Sequence, residues 1–209
     1  MRDLSIRGAG NILGASQSGF IDSVGFEMYS QLLEEAINKR QGKTQVRRKG
    51  NAEFNLQIDA YLPSDYISDE RQKIEIYKRI REIENQKDYQ YLQDELIDRF
   101  GEYPDQVAYL IEIGLVRAYL DAAFAELVER KNDTIIVRFE KVSLKFFLTQ
   151  DYFEAISKTN LKARISDNQG KVEIIFDVRN KKDYEILEEL KIFGQTFMEI
   201  KKRKEKKET

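Results

Sequence analysis

The sequence contains no cysteine and no histidine. The first absence excludes disulfide frameworks, thiolate zinc sites and cysteine nucleophiles. The second excludes imidazole general bases and histidine metal sites. An excess of positive charge is also lacking: 35 Lys and Arg stand against 37 Asp and Glu, a formal net charge of −2. Bulk charge therefore does not mark a nucleic-acid binder, and any such contact has to be local. No run approaches 18 uncharged apolar residues, so no membrane span is expected. Arg2, Asp3 and Arg7 interrupt the start, so no signal peptide is expected there either, and a cytoplasmic protein is the simplest reading. What is present is a charge-rich globular composition over 209 residues, 41% hydrophobic and 34% charged. That is enough apolar material for an ordinary domain plus a smaller piece.

Glycine is concentrated at the front, as Gly8, Gly10, Gly14 and Gly19 within "RDLSIRGAGNILGASQSGFID". Arg7 and Gln17 are the polar anchors of that stretch. The next segment, "SVGFEMYSQLLEEAINKR", spaces Phe26, Tyr29, Leu32, Leu33, Ala36 and Ile37 as one helical apolar stripe. No earlier helix offers that stripe a partner. Residues 39–52, "KRQGKTQVRRKGNA", hold six basic residues and no acid and read as a linker. Within it Arg47, Arg48 and Lys49 are either solvated or phosphate contacts, since clustered cations release counterions on binding nucleic acid.

A second region is expected over 53–200. "FNLQIDAYLP" alternates Phe54, Leu56, Ile58 and Ala60 with polar residues, a half-buried strand ending at Pro63. Three helices follow. The first is capped at Ser68/Asp69 and carries Ile74, Tyr77, Ile80 and Ile83 on one face. The second carries Tyr89, Leu92, Leu96 and Ile97 and stops at Gly101; the third opens at Pro104. The last third changes period, with one strand pair turning at Asn132–Asp133 and another at Asn168–Gly170. "SLKFFLTQ" reads as strand or short helix, "QDYFEAISK" as a short helix, and a terminal helix is expected to break near Gly194. Residues 201–209 read as a charged tail. The class is α+β: about three packed helices, a small mixed or antiparallel sheet, and further helices.

Nothing in 53–200 looks like a catalytic centre. The sequence has no G-x-x-x-x-G-K-[ST] phosphate loop, and no strand precedes the glycines as a dinucleotide fingerprint requires. Asp94, Glu95 and Asp98 sit at helical spacing, which any solvated helix face also gives.

The order of residues at the front says more than their composition. Arg2-Asp3-Leu4, Ile6-Arg7-Gly8, Gly10, Leu13-Gly14 and Gln17-Ser18-Gly19 follow one another as in the translocation motif of helicase superfamily 2 DNA translocases. The resemblance is to two groups, the transcription-repair coupling factors and the RecG-type fork helicases. "VGFEMYSQLLEEAI", "LPSDYISDERQKIEIYKRI" (62–80) and "ELIDRFGEYPDQV" (95–107) resemble the former, which continue into a C-terminal domain that the RecG type lacks. The resemblance covers nearly the whole chain and is weakest over 130–209.

It implies that 1–38 is the end of a second motor lobe and 53–200 a regulatory domain. It also implies a longer parent that translocates on double-stranded DNA using ATP and Mg²⁺. That parent would displace stalled RNA polymerase and recruit a UvrA-type excision-repair protein. The 53–200 region would dock on the parent's own N-terminal UvrB-like module. Arg7 and Gln17, with Gly8, Gly10, Gly14 and Gly19, match the family positions that couple ATP state to DNA movement. This chain alone is expected to bind no cofactor and to hydrolyse no ATP. Two rival readings stay open: a non-enzymatic interaction module for protein or nucleic acid, and the end of a RecG-type helicase.

Overall fold

The computed structural model describes residues 52–206. They fall into two compact units, one of residues 59–82 and 90–110, the other of 52–58, 83–89 and 111–206. The stretch expected as a single domain over 53–200 thus contributes to both.

In the first unit, α1 (Glu70–Arg81) begins at Asp69, whose carboxylate accepts the Gln72 N–H at 2.9 Å. Glu70 in the first turn and Lys78, Arg79 and Arg81 in the last suit the helix dipole. Its buried face is Lys73, Ile76, Tyr77 and Ile80. Ile76 takes the place expected for Ile74, which is only half-buried. Tyr77 reaches out of the helix to accept the Leu62 N–H at 3.0 Å, giving an irregular buried segment its backbone partner. Lys73, 0% exposed, donates to Ser64 Oγ at 2.8 Å, so this buried polar group has a hydrogen-bond partner.

The next helix, α2 (Gln86–Phe100), supplies its residues from 90 onward to this unit. It stops where expected: Gly101 has φ 83° and its N–H closes on the Ile97 carbonyl at 2.9 Å. α3 (Asp105–Ala122) starts directly after Pro104, whose carbonyl accepts from Val107 and Ala108.

The second unit is built on a five-stranded mixed sheet in the order β1-β2-β3-β5-β4. The strands are β1 (Glu53–Asn55), β2 (Ala125–Lys131), β3 (Thr134–Phe139), β4 (Lys162–Asn168) and β5 (Lys171–Asp177). β1 pairs with β2 in parallel and every other pairing is antiparallel. The expected strand from Phe54 towards Pro63 ends early, because Gln57 adopts φ 54° and leaves extended geometry. Both expected turns form. Asn132 (φ 52°) links β2 to β3, and Gln169 and Gly170 (φ 55° and 78°) make the two-residue connection of the last hairpin. "SLKFFLTQ" is neither strand nor α-helix: a 3-10 turn covers Lys141–Lys145 and irregular chain leads into α4 (Thr149–Ser157).

Alternation along the strands sets the core. Ile135, Val137 and Phe139 of β3 and Ile174 and Phe176 of β5 are 0% exposed. α5 (Asp183–Glu205) contributes Ile186, Leu190, Phe193 and Phe197, also fully buried. Phe197 lies at the centre of an aromatic cluster, with ring centroids 4.9 Å from Phe147, 5.1 Å from Phe193, 5.4 Å from Phe139 and 5.5 Å from Tyr152. Most of these pairs meet edge-on or tilted, the arrangement the ring quadrupoles favour. On the outward rows of the sheet, Arg138 pairs with Glu173 and Lys171 with Glu126.

Two expectations about the terminal helix are corrected. It does not break near Gly194 but runs unbroken from Asp183 to Glu205. The glycine answers a packing demand instead: a Cβ there would lie 2.8 Å from Tyr119 Cβ and 3.4 Å from Leu120 Cδ2. Gly194→Ala is therefore expected to lower stability by about 1–3 kcal/mol through overpacking, where the same change on an open helix face would gain about 0.5–1 kcal/mol. A thermal melt of the variant gives the sign directly. The charged tail read at 201–209 is helical through Glu205. Arg203 forks onto Glu154 at 3.1 and 2.8 Å, and Lys204 bonds Asp151 and, at 2.9 Å, the Phe146 carbonyl. Those bonds hold against α4 a segment whose own charges would keep it solvated.

Candidate functional site

Arg7, Gln17, Gly8, Gly10, Gly14 and Gly19, and also Arg47, Arg48 and Lys49, all lie outside the described residues. The site the described residues do present is the outer face of α2 in the first unit. Successive helical residues turn about 100°. Leu92 and Leu96 share the buried side, at 2% and 0% exposure. Ile97 follows one step round from Leu96 and is 45% exposed, so it leaves the apolar stripe on which it was expected. Tyr91, 68% exposed, and the exposed Asp94 and Asp98 complete an arc of about 120° around the outside. Tyr91 and Ile97 are the first unit's two exposed large hydrophobic side chains among the described residues. No ion pair within the described residues engages Asp94 or Asp98.

This face is held on a firm support. Glu95, one position from it, bonds Arg79 of α1 and, at 2.7 Å, Arg99 of its own helix. Arg99 also reaches Glu75 at 3.6 Å. The hydrogen bond from Arg79, helped by Arg99, holds the Glu95 carboxyl below its ordinary range against the opposing effect of burial. Arg79 lies over the Tyr91 ring at 5.6 Å, so a cation packs on the phenol from behind. At the end of the helix, the Tyr66 hydroxyl donates to the carbonyls of Leu96 (3.2 Å) and Gly101 (3.1 Å). The helix is thus tied at side and end, and its outer residues are presented at fixed spacing.

An exposed tyrosine and isoleucine flanked by two unpaired carboxylates suit a protein partner with basic side chains. The apolar pair supplies area to bury and the carboxylates supply register and steering. Among the described residues no group of three acidic side chains is placed to hold a metal ion. No helix among them is long and apolar enough to cross a membrane. The sequence had suggested only a solvated face here. The missed signal was Ile97, an apolar residue set outside the Leu92/Leu96 stripe in "ELIDRFG".

Comparison with known proteins bears on this domain directly. Residues 56–150 match the family model described as the TRCF domain. The Bacillus subtilis (strain 168) transcription-repair-coupling factor is 48% identical over 135 residues, 65% of this chain and 12% of that protein. The Staphylococcus aureus (strain USA300) protein of the same name is 47% identical over 136 residues, again 65% of this chain and 12% of its own length. The chain therefore aligns with only about an eighth of these curated relatives. A solved crystal structure of the C-terminal domain of a transcription-repair coupling factor superposes with a TM-score of 0.73 at 64% identity, covering 77% of this chain and 99% of that one. The chain belongs to the transcription-repair coupling factor family, through that family's C-terminal domain.

Proposed function

We propose that this chain is the C-terminal part of an ATP-driven double-stranded DNA translocase that displaces stalled RNA polymerase at lesions and recruits a UvrA-type excision-repair protein. ATP and Mg²⁺ are assigned to the motor of the longer protein. The residues here do not fit them, because the sequence has no phosphate loop. The two-unit domain acts as a regulator, docking on the protein's own N-terminal UvrB-like module and masking it until the motor engages. The observation that carries this half of the reading is the outer face of α2, where Tyr91, Asp94, Ile97 and Asp98 stand exposed on a braced helix. Covering that face with a basic surface would bury the apolar pair and neutralise both carboxylates.

The coupling role falls to Arg7 and Gln17. A forked, permanently charged guanidinium holds a carboxylate or phosphate in fixed geometry, and an amide both donates and accepts. Glycine beside such anchors permits close backbone approach and sharp bends, which suits a coupling element between motor states. Arg47, Arg48 and Lys49 are assigned to DNA phosphates. In the full-length protein, Arg7→Ala or Gln17→Ala is expected to retain ATP hydrolysis and lose translocation, read as failure to displace a DNA-annealed third strand or a stalled polymerase. A variant that translocates at the parental rate would refute the coupling role.

A further inference from the structure

Four of the seven exposed large hydrophobic side chains among the described residues fall within ten positions of the second unit: Leu144, Phe146, Leu148 and Phe153, at 48, 46, 58 and 58% exposure. Single exposed apolar residues are ordinary on a protein surface, whereas a local concentration marks an interaction surface. This one is not a loose loop. The Phe146 and Phe147 N–H groups both close on the Ser143 carbonyl at 2.9 Å, and the Leu148 N–H donates to Asp151 at 2.6 Å. Ser143 is itself buried and accepts from the Tyr152 hydroxyl at 2.8 Å. Phe147 is 1% exposed and rooted against Phe197, so the chain is nailed down between its exposed neighbours. Phe146 stacks on Phe124 with centroids 4.7 Å apart and planes at 18°. Side chains held out on a pinned backbone lose little freedom when they are covered, which is the condition for useful affinity.

Charge on this segment runs one way. Its two helix acids are already engaged, Asp151 by Lys204 and Glu154 by Arg203. Lys141, Lys145 and Lys158 are exposed and have no ion pair among the described residues. Lys145 stands between Leu144 and Phe146 in the chain. The net unpaired charge beside the apolar residues is therefore positive, the opposite of the α2 face in the other unit.

We propose that residues 141–158 form a second docking surface, which takes an acidic, amphipathic protein segment: apolar side chains against Leu144, Phe146, Leu148 and Phe153, carboxylates against Lys141, Lys145 and Lys158. It goes beyond the masking role, because it is a different surface of opposite charge. Complementary charges set the register and speed the encounter, while the apolar contacts supply the dwell time.

The test uses the whole chain and a fluorescein-labelled 15-residue helical peptide with Leu and Phe on one face and Glu on the other, followed by anisotropy. Saturable binding is expected, weakened at least tenfold by Leu148→Ser with Phe153→Ser, and at least fivefold by Lys145→Glu. Lys145 is exposed and its side chain makes no hydrogen bond or ion pair among the described residues, so its variant remains informative if the double substitution perturbs folding, which circular dichroism reports. Equal binding of a peptide carrying Lys in place of Glu would overturn the proposal, as would affinity indifferent to both variants. Binding of a 20-base-pair duplex or of phosphatidylglycerol vesicles that these variants abolish, with no binding of the acidic peptide, would overturn it too.

Discussion

Phe197→Ala is expected to cost about 3–5 kcal/mol of stability. The ring is 0% exposed and touches four other aromatic residues. Truncation removes its transfer free energy and leaves a cavity among rings that are themselves constrained. Phe139 is fixed in a central strand, and Tyr152 is held by its bond to Ser143. A site so framed relaxes little, which places the cost toward the upper part of the range. Each edge-on pair lost adds about 0.5–1.5 kcal/mol beyond area. The chain has no tryptophan and 11 tyrosines, so near-ultraviolet circular dichroism, to which Tyr152 contributes, is the natural probe beside the far-ultraviolet signal. A urea titration gives the difference from the shift of midpoint at constant slope. A loss below about 1.5 kcal/mol would mean the cluster closes over the gap, and that Phe197 is not its keystone.

In the full-length protein, Asp94→Arg combined with Asp98→Arg is expected to raise affinity for the UvrA-type partner at least tenfold. Setting cations where a basic docking partner expects carboxylates costs several kcal/mol. A tethered mask is only as good as its local affinity multiplied by its effective concentration. Reversing two charges therefore shifts the balance from masked to open. The fold should tolerate the change. Both positions are exposed, and Asp98 lies in the last turn of α2, where a cation suits the helix dipole better than an anion. Deleting residues 53–209 sets the fully open reference. Glu199→Arg, an exposed acid in the second unit, is expected to leave the affinity unchanged. Affinity unaltered by the double reversal, with deletion still unmasking the site, would move the docking surface off α2. Affinity unaltered by the deletion as well would end the masking role altogether.

Local chemistry made much of the fold legible. Gly101 stands where left-handed backbone was read from residue type, Asn132 and Gly170 fall in the two turns read the same way, and the Asp69 cap follows from a side-chain oxygen ahead of a periodic run. The misreadings share a cause: the deciding partner lies far along the chain. Gly194 looks like a helix breaker until Tyr119 is placed against it. The 201–205 charges look like a tail until Arg203 meets Glu154, 49 positions away, and Lys204 meets Asp151, 53 positions away. Gln57 carries no mark of its left-handed turn, so β1 could not be shortened in advance. The α2 face was read as ordinary solvated charge, because spacing alone does not say which side of a helix is covered. Arg7 and Gln17 lie outside the described residues, and their assignment rests on an ordered motif alone, since neither residue type is distinctive by itself.

The pairing of β1 with β2 has a consequence for how the second unit assembles. β1 is three residues long, sits at the sheet edge and joins its neighbour in parallel. Just ahead of it, the Ala52 N–H is fastened to Asp121, 69 positions downstream. Joining this strand to β2 closes a loop of about 70 residues, so its pairing carries a larger loop-closure entropy than a hairpin's. The antiparallel hairpins β2–β3 and β4–β5, by contrast, close over two-residue turns. A short edge strand closed over so long a loop is expected to open more readily than the hairpins. Amide exchange at residues 53–55 should report local opening at a free energy well below that of the central strands, a loose stitch in an otherwise tightly sewn sheet.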